Sequence, residues 1–281
     1  MPTNTAKSRT TLPSTMPDSV KPRKAGTSGF STPVRMDFFD EEVETHRDEV
    51  TIARSSTDIL KAKEEGKLAA ILAVENSDVL EGSLNVLRGL HRVGVRSIGL
   101  THNIRSWAAD GNAEARSGGG LSSFGVRLVE EMNTLGMLVD VSHISERGFW
   151  EVMEVTRKSV VASHGNCAGV CDHPRNLDDK QIVELANNGG VMGITFVPDF
   201  VDPKAPTLGR LLDHVDYVVQ VAGIDHVGIG SDFDGGGTVM KDATEFPRIT
   251  EGLLDRGYEE SEIRQILGGN HLRILQEALG S

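Results

Sequence analysis

Cysteine is nearly absent: Cys167 and Cys171 are the only two in 281 residues. They cannot build a disulfide framework, and with no second Cys or His pair at finger spacing they make a poor zinc motif, so they read as ordinary thiols. Long apolar runs are missing as well. No stretch approaches the roughly 20 residues of a membrane span, no hydrophobic signal segment opens the chain, and no apolar tail closes it. These absences predict a cytoplasmic protein with no membrane anchor. Positive charge is scarce too: 29 Lys and Arg stand against 41 Asp and Glu, a formal net charge of −12. That balance argues against a nucleic-acid partner, which needs clustered Lys and Arg. Three catalytic signatures are also lacking. There is no Walker motif and no G-x-S-x-G elbow, and Gly228-Ile229-Gly230-Ser231-Asp232 has Phe233 where the third glycine of a dinucleotide loop belongs.

What remains is a chain of ordinary globular composition, 38% hydrophobic and 25% charged, long enough to bury one α/β core. Residues 1–29 differ from the rest. They hold five basic residues (Lys7, Arg9, Lys21, Arg23, Lys24) against Asp18 alone, are rich in Ser, Thr and Pro, and have almost no large apolar side chains. Such a segment cannot offset the entropy of ordering, so a disordered tail is expected, with the domain over residues 30–281.

From about Val50 onward, short apolar runs alternate with helical text. The runs are LAAILAV (68–74), SIGLT (97–101), LVDVS (138–142), VVAS (160–163), GGVMGITF (189–196) and VGIGS (227–231). Between them lie periodic segments with helix-start residues at Thr57, Ser83, Ser122 or Ser123, Ser145, and Asp178 or Asp179, and two further helices over 245–256 and 261–279 close the chain. Six buried-type strands separated by helices predict an α/β fold with a parallel sheet.

Five of the six runs finish on a residue able to ligate a metal or move a proton: Glu75, His102, His143, His164 and Asp232. Singly, each has a bland explanation. A strand-end His is more often a hydrogen-bonded structural residue, Glu75 could cap a loop, and Asp232 could do so with Asp234 in a Gly-rich turn. Together they call for a common cause, because independent structural residues have no reason to recur at the same end of successive strands. A (β/α) barrel supplies that cause by bringing every strand end to one mouth, whereas an open sheet gathers ligands at a single switch point. The expected architecture is a (β/α)8 TIM-barrel-like fold with six recognisable strands. Two imidazoles with carboxylates suit zinc or a similar divalent ion. The Gly-rich runs 118–120 and 235–237 read as mobile loops over the mouth.

The residues also carry a family resemblance. Val74-Glu75, Leu100-Thr101-His102-Asn103, Trp107-Ala108-Ala109-Asp110-Gly111, Val139-Asp140-Val141-Ser142-His143, Ala162-Ser163-His164, His173-Pro174-Arg175-Asn176, Gly230-Ser231-Asp232-Phe233-Asp234-Gly235 and Gly268-Gly269-Asn270 run in the order seen in the membrane (renal) dipeptidase family of zinc metallopeptidases, which this chain resembles from about Val50 onward. The resemblance implies a barrel binding one or two zinc ions, with Glu75, His143 and His164 as metal ligands. It further implies Asp232 as catalytic acid/base, His102 as the residue polarising the substrate carbonyl, Arg175 as the holder of the dipeptide carboxylate, and a homodimer. Water acidified by the metal would attack the peptide bond, with Asp232 passing its proton to the leaving amine. Without the resemblance, an ion pair between Arg175 and Asp178 or Asp179 would be the expectation. Family members begin with a strand bearing His-x-Asp and a second strand after it, and neither is recognisable here. His46-Arg47-Asp48 lies in a polar stretch and reads as a coincidence. Two alternatives follow: a single-metal amidohydrolase acting on another small amide, lactam or ester, and a noncatalytic ligand-binding barrel.

Overall fold

A computed structural model describes residues 39–280; the tail expected over 1–29 lies outside the described residues. Two strands, β1 (Val50–Ile52) and β2 (Leu68–Ala70), form a parallel pair. Six more, β3 (Leu72–Val74), β4 (Val95–Gly99), β5 (Leu138–Asp140), β6 (Val161–Gly165), β7 (Val191–Ile194) and β8 (Val227–Ile229), form one parallel sheet in chain order. The principal helices among the described residues are α1 (Ser56–Glu64), α2 (Leu84–Val93), α3 (Ser123–Leu135), α4 (Glu146–Val155), α5 (Asp179–Asn187), α6 (Leu208–Ala222), α7 (Phe246–Asp255), α8 (Glu260–Arg264) and α9 (Asn270–Leu279), with a four-residue turn of helix at Pro198–Val201. Every pairing in the main sheet joins consecutive strands in parallel, so each connection is a crossover, and α2 to α6 supply the helices on its outer face.

Local sequence explains most helix boundaries. The Ser122 and Ser145 hydroxyls accept from the backbone N–H three residues on, and Asp178 forms a reciprocal cap with Gln181. Helix α1 starts differently from the expectation. Its cap is Ser55, paired reciprocally with Asp58, because Thr57 already lies in the first turn. The long C-terminal helix is also interrupted. A wide turn over Gln265–Gly269 ends α8 and lets Asn270 open α9, where its buried amide donates to the carbonyl oxygens of Ile224 and Val227 at 2.7 Å. That pair of bonds ties α9 to the start of β8, which accounts for the Gly-Gly-Asn sequence.

The apolar run 68–74 is two strands rather than one. It breaks at Ile71, its first half pairing with β1 and its second with β4. Strand β1 itself escapes the hydropathy pattern because three residues beside a charged stretch carry no readable period. His46 and Asp48 sit in the turn leading into β1, with His46 Nε2 3.8 Å from Glu42, so this His-x-Asp stands before the start of its strand and not at its carboxyl end.

The inward faces of α2 to α6 pack Leu87, Leu128, Met132, Phe149, Val152, Ile182, Leu185, Leu211 and Val215, all fully buried, against the outer face of the sheet. A smaller cluster joins Leu138, Val161 and Val191, the first residues of β5 to β7, to Ile274 and Ala278. Helix α9 therefore plugs the bottom of the sheet's concave side, leaving the carboxyl ends of the strands open. A cavity of about 360 Å³ is lined by Ala73 and Val74 of β3, by Ile229 and Gly230 at the end of β8, and by Ser97, Asp140 and Ser163 between them. The first and last strands thus face the same space without pairing, so the sheet is a TIM-barrel-like curl that stays open between β3 and β8 among the described residues.

Candidate metal centre

The strand exits bring their polar residues together as the barrel reading requires. Glu75 directly follows β3, His143 lies three residues beyond β5, and His164 is within β6. One ligand atom from each lies within 4.8 Å of the others, and they are the only such trio of His, Cys, Asp or Glu among the described residues. Glu75 Oε1 is 3.0 Å from His143 Nε2 and 3.6 Å from His164 Nε2, and the two Nε2 atoms are 2.7 Å apart. His102 joins the group from the loop after β4, with its ring stacked on His143 at 4.2 Å and its Nε2 3.9 Å from Glu75. Neither cysteine takes part. Cys167 is fully buried and its thiol faces the carbonyl of His214, so burial pushes its pKa far above the ordinary value.

Hydrogen bonding fixes what these rings offer. The Nδ1 of His143 lies 2.9 Å from Asn103 Oδ1, which only accepts, so Nδ1 carries the proton and Nε2 presents a lone pair to the centre. Burial pulls the pKa of His143 down to about 4. At neutral pH the trio is therefore a carboxylate and a neutral imidazole facing a second imidazole nitrogen at hydrogen-bond distance. Donor atoms this close can share one cation, and two imidazoles with one carboxylate form a borderline donor set of the kind zinc prefers. The residues fit the metal.

Around this trio a cleft of about 940 Å³ opens, lined among others by His102, Asn103, His173, Arg175, Phe200 and Asp232. Asp232 sits just past β8 with φ of 56°, one of two residues other than glycine in the left-handed region among the described residues. A β-carbon at Gly235 would collide with its carboxylate, so the Asp-Phe-Asp-Gly turn folds tightly over the side chain. Such strain in a non-glycine residue has to be held by its surroundings and is typical of functional positions. Burial, followed by repulsion from Glu75 and Asp234, raises the Asp232 pKa, while His164 and Arg175 oppose the rise.

Arg175 departs most from an ordinary surface residue. It is only 6% exposed, lies 5.4 Å over the Phe200 ring, and donates through Nη1 to the carbonyl of Ser142. Its Nε and Nη2 have no hydrogen-bond partner among the described residues. The ion pair with Asp178 or Asp179 does not form, since Asp178 caps α5 and Asp179 accepts from the Tyr217 hydroxyl. Burial lowers the guanidinium pKa to about 10, leaving it cationic at neutral pH.

The two Gly-rich runs separate. Gly235 and Gly236 border the cleft, whereas residues 118–120 are pinned. Arg147 donates to Gly118 O at 2.8 Å, Ser145 donates to Gly119 O at 3.0 Å, and β-carbons at Gly119 and Gly120 would strike the Asp110 and Glu151 carboxylates. The sequence motifs contain Asn103, Asp140, Ser163 and His173 without giving them a role; His173 pairs with Phe200, their rings 4.6 Å apart in the cleft wall. The serine before each ligand histidine is the available signal.

Comparison with known proteins identifies the family. A family model, membrane dipeptidase (peptidase family M19), matches residues 23–279. Among curated proteins, dipeptidase verJ of Clonostachys rogersoniana is 37% identical over 249 residues, covering 87% of this chain. The chain spans 64% of that relative's length, and 59% and 51% of two other curated dipeptidases. Among solved structures, an amidohydrolase from Pseudomonas aeruginosa superposes with a TM-score of 0.83 at 28% identity, covering 90% of this chain and 86% of its own. A metallopeptidase from Rhodobacter sphaeroides, liganded with a phosphinate mimic of the dipeptide L-Ala-D-Ala, gives 0.81 at 25% identity, covering 89% and 75%. The chain belongs to the membrane dipeptidase family, peptidase family M19.

Proposed function

We propose that this chain is a zinc-dependent dipeptidase, with Glu75, His143 and His164 holding one ion. The observation that carries the reading is the convergence of those three donors at the floor of a cleft whose wall holds a buried guanidinium with two unpartnered nitrogens. When bound, the ion supplies Lewis acidity that lowers the pKa of water and polarises the scissile carbonyl. Arg175 orients the substrate, because an unpaired buried N–H costs about 1–3 kcal/mol and a free α-carboxylate satisfies both donors at once. A binding group close to the metal trio limits the reach to a very short peptide. Asp232, with its raised pKa, takes the proton from attacking water and returns it to the departing amine. His102, stacked beside His143, donates to the developing oxyanion. The names of the relatives, dipeptidases and a metallopeptidase with a dipeptide mimic, support the same substrate class.

The test is hydrolysis of a dipeptide panel by zinc-reconstituted protein beside Glu75→Ala and Asp232→Ala. Turnover in the parent and at least a ~100-fold loss in both variants is expected. Equal activity in all three would overturn the site. Turnover of blocked amides or lactams in preference to free dipeptides would favour the amidohydrolase reading, to which the Pseudomonas aeruginosa neighbour also points. Zinc binding with no turnover would favour a ligand-binding barrel.

A further inference from the structure

Behind the metal trio, on the concave side of the sheet, stands a group with no part in the chemistry above. Asp140, the last residue of β5, projects into the cavity between β3 and β8 and accepts four hydrogen bonds. Its Oδ1 takes the Ser142 N–H at 3.0 Å, the Ser142 hydroxyl at 2.6 Å and the Ser163 N–H at 3.1 Å; its Oδ2 takes the Ser163 hydroxyl at 2.5 Å. Both serines continue to the same histidine. His164 N–H donates to Ser142 Oγ at 3.1 Å, and His164 Nδ1 lies 2.9 Å from Ser163 Oγ.

Proton counting makes this arrangement directional. A carboxylate has no proton to give, and the two hydroxyls lie nearer to Asp140, at 2.6 and 2.5 Å, than to each other at 3.1 Å, so each serine spends its single proton on Asp140 and is left an acceptor toward His164. The contact between Ser163 Oγ and the ring then exists only if Nδ1 carries the imidazole proton. Nε2 is consequently the bare nitrogen, and it is the one facing His143 and Glu75. The ring's backbone N–H is held from the same carboxylate through Ser142, so the position of His164 and its tautomer share one origin. Arg175 donates to the carbonyl of Ser142, and the Asp140 charge favours its cationic form, so the same carboxylate stands behind the proposed substrate clamp.

We infer that Asp140, acting through Ser163 and Ser142, is the positioning residue that fixes His164 as its Nδ1–H tautomer and so presents Nε2 to a divalent cation. The inference rests on the reading of Glu75, His143 and His164 as the metal trio. The Asp-x-Ser-His and Ser-His sequences then act jointly, one carboxylate on β5 orienting a ligand on β6. His143 does not share the device, because its Nδ1 is held by Asn103 from the loop after β4.

The experiment compares the full chain with Asp140→Asn, Ser163→Ala and Ser163→Thr. Two-bond nitrogen–proton NMR correlations of the metal-free proteins read the His164 tautomer, and zinc titration by calorimetry reads affinity. The parent and Ser163→Thr are expected to show a single Nδ1–H tautomer. Ser163→Ala and Asp140→Asn should show a mixture with Nε2–H and bind zinc about 10–100-fold more weakly, the range usual for lost outer-shell partners. Ser163→Thr keeps the hydroxyl at a residue that lines the cavity, so its recovery of tautomer and affinity separates positioning from general damage. An unchanged tautomer in Ser163→Ala, or zinc affinity in Ser163→Ala and Asp140→Asn within twofold of the parent, overturns the inference. Failure of the parent itself to bind zinc overturns the metal reading instead, and the tautomer measurement still decides the role of Asp140.

Discussion

At the scale of single residues, the site is governed by groups whose hydrogen bonding is incomplete or enforced. Arg175 is the clearest case. A buried guanidinium with one bond to a carbonyl and two idle nitrogens is costly unless an anion arrives, so its contribution belongs to binding more than to folding. Lysine keeps the charge but loses the planar fork. Arg175→Lys should therefore raise KM for a free dipeptide by about tenfold or more, with a much smaller change in kcat. Steady-state kinetics on a dipeptide and its C-terminal amide provide the check. If the ratio of the two kcat/KM values is the same in parent and variant, Arg175 does not hold the carboxylate.

Individual elements place these residues through backbone contacts of unusual closeness. Consecutive strands β6, β7 and β8 meet at Ser163, Gly193 and Gly230. A β-carbon on Gly230 would run into the Ser163 carbonyl oxygen and lie 2.9 Å from the Gly193 carbonyl. Backbone has no rotamer with which to retreat, so the clash can be relieved only by moving a strand. Gly230→Ala should cost more than about 3 kcal/mol and displace Asp232, two residues on. Urea denaturation is expected to show a lower midpoint. A midpoint equal to the parent's would mean that the β7–β8 spacing yields readily. Gly228, two residues before, leaves room for the His271 ring rising from α9, so the alternate glycines of Gly228-Ile229-Gly230 fit the strand around its neighbours.

For the whole molecule, the plug beneath the strands links stability to acidity. Burial draws the His271 pKa down to about 4, with the Asp140 charge opposing the shift. A histidine depressed in the folded state stays neutral while its unfolded counterpart, near 6.5, takes a proton, so stability is complete above about pH 6.5 and falls as pH drops toward 4. The loss attributable to His271 is about 3 kcal/mol at most, and His143 adds to it in metal-free protein. Melting of the metal-free chain should drop markedly between pH 7 and pH 4, and His271→Gln should flatten the profile. Identical slopes in parent and variant would show that His271 is hydrated enough to titrate normally.

Which of these features the chain announces depends on the range of the interaction behind it. Strand exits, helix caps such as Ser122, Ser145 and Asp178, and the recurrence of Glu75, His102, His143, His164 and Asp232 at one end of successive strands are written within a few residues each, and they are legible. The split of the run 68–74 is not, because hydropathy is the same on both sides of Ile71 and only the partners differ. The burial of Arg175, the open border between β3 and β8, and the convergence of Glu75, His143 and His164 were decided by tertiary structure. Those ligands are 68 and 21 positions apart in sequence, and the register of four parallel strands brings their ligand atoms to within a few ångströms. Sequence determined which chemistry each strand end carries. The curl of the sheet decided which of those ends meet, since side-chain distances depend on strand pairing and packing that no local pattern encodes.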